Sequence, residues 1–161
     1  MILVTVGTML PFDRLIEATD KWAESHRNEE VVAQIGEHAV YEPKHMHWTR
    51  RLEQQEFAGL VERCRLLIAH AGTGSFFLAA EKSRPIVLLP RQARFNEHTT
   101  DHQLHTARWL CKMPGVYVAM TTDELAEAIS KALSAPNAFV KSLSSYASNE
   151  FLSKLRHALL E

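Results

Sequence analysis

Hydrophobic residues follow two alternating patterns along the chain. Short apolar runs without polar alternation are typical of strands buried on both faces of a parallel sheet; they cover residues 2–6, 31–35, 66–70, 86–89 and 115–119. Segments with an apolar residue at every third or fourth position predict amphipathic helices; they cover residues 12–26, 53–63, 75–82, 104–112, a helix that starts near 122, and 139–159. Residues 37–51 lose both patterns and predict a turn followed by a short extended piece.

Strands that alternate with helices predict an α/β fold: a Rossmann-like parallel sheet with helices on both faces. The 161 residues are enough for a single core. Residues 1–135 make up the predicted sheet unit, and residues 136–161 a terminal amphipathic helix of the same domain. In such sheets ligands bind beyond the carboxyl ends of the strands, at a switch in strand order.

One strand–turn–helix segment has the strongest chemical signal. An apolar strand ends at His70, and the turn Gly72-Thr73-Gly74-Ser75 leads into a helix. Glycines allow a tight turn and leave no side chain between a ligand and the backbone amides, while Thr73 and Ser75 are placed to cap the helix. Because free amides at a helix start favour an anion, the turn predicts a phosphate site with His70 beside it. The alternative is a tight turn without a ligand.

The same segment argues against other nucleotide and hydrolase motifs. The dinucleotide fingerprint needs a third glycine where Phe77 stands, and an acidic residue after the next strand where Arg91 stands. The Gly-Lys-Ser/Thr of P-loop proteins and the Gly-x-Ser-x-Gly of serine hydrolases are missing from the sequence. We expect Phe76 and Phe77 to lie in the core.

A polar segment follows the buried strand 86–89. Its acids, amides and imidazoles suit the hydroxyls of a sugar, and Arg91 can offset phosphate charge. If a helix begins near Glu97, then His98, His102 and His105 share one face, a spacing that also suits zinc. A solvated helix start is the third interpretation.

Composition narrows the class of protein. The net charge of −1 lacks the excess of basic residues that is typical of proteins that bind nucleic acid. Cys64 and Cys111 lie far apart and fit neither a zinc knuckle nor a redox pair, which favours a reducing, cytoplasmic setting. No apolar run approaches the roughly 20 residues that span a bilayer, and the first residues read as a strand because no basic region precedes them.

Five segments taken together resemble glycosyltransferase family 28. The similarity is to its donor-binding half, found as a separate small subunit in the two-part N-acetylglucosaminyltransferase that acts on dolichol-linked sugar and in bacterial exopolysaccharide enzymes. The carboxy-terminal half of the lipid-II-forming transferase is also similar. The resemblance extends from residue 1 to about residue 133, on segments 4–8, 34–36, 70–75, 85–91 and 96–103.

The resemblance implies half of a GT-B fold with a UDP-linked sugar at the switch point and no cofactor or bound metal. The residues that it places at the diphosphate are Gly7, Thr8, His70, Gly72, Thr73, Gly74 and Ser75, joined by Arg91. Those that it places at the donor sugar are Asn96, Glu97, Asp101 and Gln103. Leu78 departs from the pattern, because lipid-II-type enzymes have a ribose-binding glutamate at this spacing.

The resemblance also implies a partner. Half of a GT-B enzyme lacks an acceptor domain, and its relatives obtain one from a membrane-anchored subunit that holds a polyprenyl-linked acceptor. We therefore expect a cytoplasmic protein, peripheral to the inner face of the membrane, which forms homo-oligomers when alone. The general base is expected on the partner, with His98 as the local candidate because its ordinary pKa lies near neutrality. The alternative is a non-catalytic subunit that stabilises the partner.

The terminal segment is the expected docking element for that partner. Its apolar stripe is longer than one small sheet face needs, and it comprises Phe139, Leu143, Tyr146, Phe151 and Leu155. The alternative is that the segment folds back and packs only on its own sheet.

Overall fold

Six parallel strands form one sheet in the computed structural model, which describes residues 1–135 and 149–160. The strands are β1 (Ile2–Thr5), β2 (Val31–Gln34), β3 (His47–Thr49), β4 (Leu66–His70), β5 (Ile86–Leu89) and β6 (Val116–Val118). Their order across the sheet is β3-β2-β1-β4-β5-β6. The predicted α/β, Rossmann-like class is confirmed, and the extended piece predicted near residue 47 is an edge strand.

Helices follow most of the strands and cover both faces of the sheet. They are α1 (Asp13–Ser25), α2 (Gln54–Arg63), α3 (Thr73–Glu81), α4 (His102–Leu110), α5 (Leu125–Ser134) and α6 (Asn149–Leu160), with a short 3-10 helix at Ala93–Phe95. Along β1, Ile2 and Val4 pack with α1 and α5, whereas Leu3 packs with α2, α3 and α4. This alternation of buried residues explains why the strands are apolar throughout.

The structure refines or corrects three details of the helices. The helix expected to start near residue 122 begins at Leu125, after Glu124, which makes no capping hydrogen bond. Phe76 is buried as predicted, but Phe77 is 58% exposed, because it lies on the solvent side of α3. The condition for His98, His102 and His105 to share one helical face, a helix that begins near Glu97, is not met, because α4 begins at His102.

The terminal segment is described only from residue 149 onward. The helix predicted there is present as α6 (Asn149–Leu160). The apolar stripe predicted for docking, Phe139, Leu143, Tyr146 and the side chains of Phe151 and Leu155, lies outside the described residues. None of the described helices combines the length and apolar character needed to cross a membrane.

A buried carboxylate fixes the irregular segment between β2 and β3. Asp20, on α1, is 1% exposed and accepts hydrogen bonds from the Lys44 and His45 amides and, at 2.8 Å, from the Tyr41 hydroxyl. Burial alone raises the pKa of Asp20, but these donors outweigh it and the pKa lies below its ordinary value. Burial and the nearby carboxylate raise the pKa of Tyr41 to about 12. One side chain thus satisfies three donors that lie outside the sheet.

We expect Asp20→Asn to lower the free energy of unfolding by about 2 kcal/mol at pH 7, because an amide nitrogen then faces donors that need an acceptor. A carboxylate whose pKa is depressed by folding stabilises above its unfolded pKa, and this contribution is lost as pH falls through the folded value. The difference from wild type should therefore shrink below about pH 3.8, the ordinary value. Urea unfolding at several pH values measures it. The exposed Asp123→Asn is the control, and equal loss in both variants would contradict the role of Asp20.

Candidate functional site

The switch in strand order lies between β1 and β4. From this point the chain runs to β2 and β3 on one side and to β5 and β6 on the other. All strands are parallel, so their carboxyl ends share one edge. The loops after β1, β2, β4 and β5 therefore converge where open α/β sheets bind ligands.

The imidazole of His70 is enclosed by two glycines from neighbouring loops. A Cβ placed on Gly7 would lie 2.8 Å from Cε1 of His70, and one placed on Gly72 would lie 2.3 Å from its Nε2. Gly7 also has φ +78°, which side chains with a Cβ rarely adopt. These glycines are therefore required by the ring that they contact, as well as by the turn that they form.

His70 is neutral at physiological pH. Burial, followed by the charges of Arg91, His102 and His98, lowers its pKa to about 4. Its buried Nδ1 has no hydrogen-bond partner within the described ranges. A neutral imidazole beside the switch point is suited to donate or accept one hydrogen bond without adding charge.

The first turn of α3 presents unpaired amides. The N-cap is Gly72, and no side chain caps the helix, so the prediction that Thr73 and Ser75 cap it is wrong. Both lie inside the first turn, and across the described chain no protein group accepts from the amides of Thr73, Gly74 or Ser75. A Cβ on Gly74 would meet nothing within 4 Å. Free amides beside open space at a helix start form an anion site.

A polar network joins the ends of β1 and β2. The Thr5 hydroxyl donates to Gln34 Oε1 at 2.6 Å and accepts from the Gly7 amide at 3.1 Å. Gln34 Nε2 donates to the Gly7 carbonyl at 3.0 Å and to the Arg50 carbonyl at 3.3 Å. The network fixes the loop after β1 against the loop after β3.

A cavity of about 590 Å³ lies over this network. Its lining comprises Thr5, Gly7, Thr8, Gln34, Gly36, Glu37, residues 50–54, Phe57 and Ser75. It therefore extends from the first turn of α3, across the end of β1, to the ends of β2 and β3. Sequence reasoning missed the part that includes Glu37, Arg50 and Phe57. The one available signal was the loss of hydrophobic periodicity after Gly36, which is typical of loops at a ligand edge.

The side chains of Arg91 and Glu97 bond to neighbouring loops. Arg91 is 3% exposed, and its guanidinium donates to the carbonyls of Val6, at 2.8 Å, and Leu10. Glu97 accepts two hydrogen bonds from the Arg14 guanidinium, at 2.6 and 2.8 Å, and one from the Gln92 amide at 2.9 Å. The structure thus brings these predicted site residues to the ligand edge, where their charged groups bond to other parts of the chain.

The remaining predicted sugar-binding residues lie in the same loop. Asp101 Oδ1 accepts from the Ala93 amide at 2.8 Å, and Gln103 Oε1 accepts from the Arg91 amide at 3.0 Å. Asn96 is exposed, with φ +57° after the 3-10 helix. Across the described residues no protein group bonds to Asp101 Oδ2, Gln103 Nε2 or the side-chain amide of Asn96, so all three are available to the hydroxyl groups of a ligand.

Two histidines of this loop are in contact. The rings of His98 and His102 are 4.4 Å apart, edge to face. Partial burial, then the charges of His102 and Arg91, lowers the pKa of His98. His98 precedes α4, so it does not share a helical face with His102 and His105 as the zinc interpretation required. Within residues 1–135 and 149–160 no group of three or more His, Cys, Asp or Glu is placed to hold a metal ion.

Comparison with known proteins assigns the family. The model of the glycosyltransferase family 28 C-terminal domain matches residues 1–158, so the chain belongs to this family. The predicted family is therefore confirmed. No curated protein matches the chain.

Solved structures share the fold at low identity. The glycotransferase of kitacinnamycin superimposes with a TM-score of 0.66 at 19% identity, over 99% of this chain and 38% of that one. The UDP-GlcNAc 2-epimerase of Methanocaldococcus jannaschii, solved with UDP-GlcNAc and UDP, superimposes with a TM-score of 0.65 at 11% identity, over 98% of this chain and 45% of that one. Acinetobacter baumannii MurG superimposes with a TM-score of 0.55 at 15% identity, over 87% of this chain and 42% of that one. The chain spans less than half of each of these proteins.

Gly72→Ala should destabilise the protein by about 1–3 kcal/mol, because the new methyl group forces the His70 ring out of its place between the two loops. Gly74→Ala is the matched control in the same turn, since its methyl group enters open space. Urea unfolding of both variants measures the difference. Equal stability of the two variants would contradict the enclosure of His70.

Proposed function

We propose that this domain binds the UDP-sugar donor of an inverting glycosyltransferase at the carboxyl edge of its sheet. The observation that carries the proposal is the first turn of α3, where three amides without protein acceptors border open space at the switch point. Membership of family 28 supports a nucleotide sugar as the anion. The UDP-bound epimerase of similar fold supports UDP as the carrier.

In this proposal the diphosphate lies against Thr73, Gly74 and Ser75, with Gly7 and Thr8 on its other side. The nucleoside occupies the adjoining cavity, which has the volume typical of a small-molecule site. Neutral His70 supplies a hydrogen bond to the phosphate. Arg91 fixes the loop after β1 and contributes positive charge from behind it.

The donor sugar lies toward the loop after β5. Asn96, Asp101 Oδ2 and Gln103 Nε2 are its proposed hydrogen-bonding groups. Glu97, whose oxygens bond to Arg14 and Gln92, acts in this proposal by holding the loop. The sugar transferred is a hexose in our proposal.

Transfer proceeds by direct displacement. The acceptor hydroxyl attacks the anomeric carbon as the bond to the UDP oxygen breaks, and the anomeric configuration inverts. The departing diphosphate gains negative charge, which the amides and dipole of α3 stabilise. The hydroxyl proton passes to a general base. We place this base on the acceptor-binding partner, and His98 is the candidate on this chain.

The acceptor side is supplied by a second subunit in this proposal. The chain spans 38–45% of the glycosyltransferase and epimerase structures that it resembles. We propose a membrane-anchored partner that holds a polyprenyl-linked acceptor for polysaccharide synthesis, docked by the terminal segment 136–161 of the same domain. The complex is peripheral to the cytoplasmic face, and the isolated chain forms homo-oligomers.

A non-catalytic role as a stabilising subunit is the second candidate. Leu78 favours it, because a partly buried leucine packs against the core at the position where the resemblance implies a ribose-binding glutamate. Binding of UDP by the isolated chain distinguishes the two candidates.

Gly74→Ala should leave stability unchanged and weaken UDP binding by tenfold or more, because its methyl group occupies the space proposed for phosphate. Ser75→Ala and Thr73→Ala should each weaken it by about fivefold, the loss of roughly 1 kcal/mol for one hydrogen bond. Isothermal titration with UDP measures all three variants.

Gly59→Ala is the matched control, since its methyl group would lie 3.7 Å from Arg63 on the far side of α2, in ordinary contact. Unchanged affinity in all three site variants would refute the phosphate assignment. No UDP binding by the wild type would favour the stabilising role.

Transferase activity with the partner should survive treatment with EDTA, because the proposed leaving-group stabilisation comes from the α3 amides and needs no cofactor. Assays before and after dialysis against chelator measure it, with metal added back as the control. Activity that is lost on chelation and restored by a divalent ion would contradict this part of the proposal.

A further inference from the structure

The cavity at the switch point has two carboxylates in its lining, Glu37 and Glu53. Helix α3 contributes none: its one acid, Glu81, lies in the last turn, away from the cavity. If the diphosphate of a nucleotide binds at α3, the carboxylates available to the rest of that nucleotide lie on the other side of β1. The two candidates differ in how free their oxygens are.

Glu37 has a fixed backbone and a free carboxylate. It follows Gly36, whose amide donates to the Arg50 carbonyl at 3.0 Å and whose φ is +91°. A Cβ on Gly36 would approach Val6 Cγ2 to 3.2 Å, so this turn is closely packed. The Glu37 carbonyl accepts from Arg50 Nη1 at 3.4 Å. No described group bonds to the Glu37 carboxylate.

Glu53 is less available. Its carboxylate lies 3.6 Å from Arg51 Nε, and both side chains are more than 70% exposed. It precedes the first turn of α2, at the outer end of the cavity beyond the β3 loop. Arg51 therefore competes for the oxygens that a ligand would need.

The distance across the sheet suits a ribose. Strands β4 and β2 flank β1, so their carboxyl ends are separated by two strand spacings, about 10 Å. In the proposed site the nucleotide extends from a diphosphate at α3 into the cavity, whose lining reaches the ends of β2 and β3. In dinucleotide-binding sheets an acidic residue at the end of the second strand also recognises ribose hydroxyls, although there the phosphate turn follows the adjacent strand. Arg50 and Arg51 line the cavity too, where their guanidinium groups pair with Glu42 and Glu53.

We propose that Glu37 accepts hydrogen bonds from the ribose hydroxyls and makes the site select ribonucleotides over 2′-deoxyribonucleotides. The inference rests on the proposed binding of UDP at this edge. It names a specificity-determining residue in the loop after β2, whereas the proposed phosphate contacts follow β1 and β4.

The test compares UDP with 2′-deoxy-UDP by isothermal titration. Wild type should bind UDP about tenfold or more tightly, the factor expected for a hydrogen bond to a charged group. Glu37→Ala should bind the two nucleotides equally, and its affinity should fall more for UDP than for 2′-deoxy-UDP, because both nucleotides lose the 3′-hydroxyl contact and only UDP loses the 2′-hydroxyl contact. Because Glu37 is exposed and has no side-chain contact, the variant should keep the wild-type melting temperature.

Two variants serve as controls. Glu56→Ala removes an exposed carboxylate from the first turn of α2 that does not line the cavity, and it should keep the preference. Glu53→Ala should keep it as well. The proposal is overturned if wild type binds both nucleotides equally, if Glu37→Ala retains the preference, or if Glu53→Ala loses it. Failure of wild type to bind either nucleotide would instead refute the UDP site itself.

Discussion

The structure depends on satisfying backbone groups where the sheet ends. Beyond the carboxyl edge the ladder supplies no partners, yet the loops there are packed too closely for water to reach every carbonyl, and an unpaired buried carbonyl is costly. Arg91 meets this need by bonding the carbonyls of Val6 and Leu10 from a nearly inaccessible position. Its guanidinium also lies 5.1 Å from the Phe12 ring centroid, which fixes the start of α1. The loops after β1 and β5 are thereby held as one unit.

The same constraint explains how the candidate site is organised. Thr5 and Gln34 hydrogen-bond to backbone groups of the loop after β1. Asp101 and Gln103 do the same for backbone amides of the loop after β5. Glu97 joins that loop to α1 through Arg14. With the loops satisfied internally, the amides that begin α3 are left for a ligand. A site of this kind is preorganised, since its donors need not leave other partners when an anion arrives.

Sequence alone predicted the strands, because residues buried on both faces must be apolar throughout. It also predicted that the glycine turns and polar loops meet at one edge of the sheet, because they follow the carboxyl ends of parallel strands. It did not predict that Glu97 binds Arg14, since a polar side chain after a strand looks the same whether it faces a ligand or a distant part of the chain. Glu37 and Phe57 were missed because residues that line a cavity from an irregular segment have no periodicity. Phe77 was misplaced because the α3 pattern is apolar on nearly all sides.

The pair formed by Arg14 and Glu97 joins positions that are 83 residues apart. Both side chains are mostly shielded, at 19% and 10% exposure, so replacing one leaves the other as a shielded charge without its counterpart. A substitution at one position is therefore disfavoured unless the other position changes too, because each single mutant has an unpaired shielded charge. An alignment of this family should record the two columns as a coupled unit, visible without any knowledge of the fold.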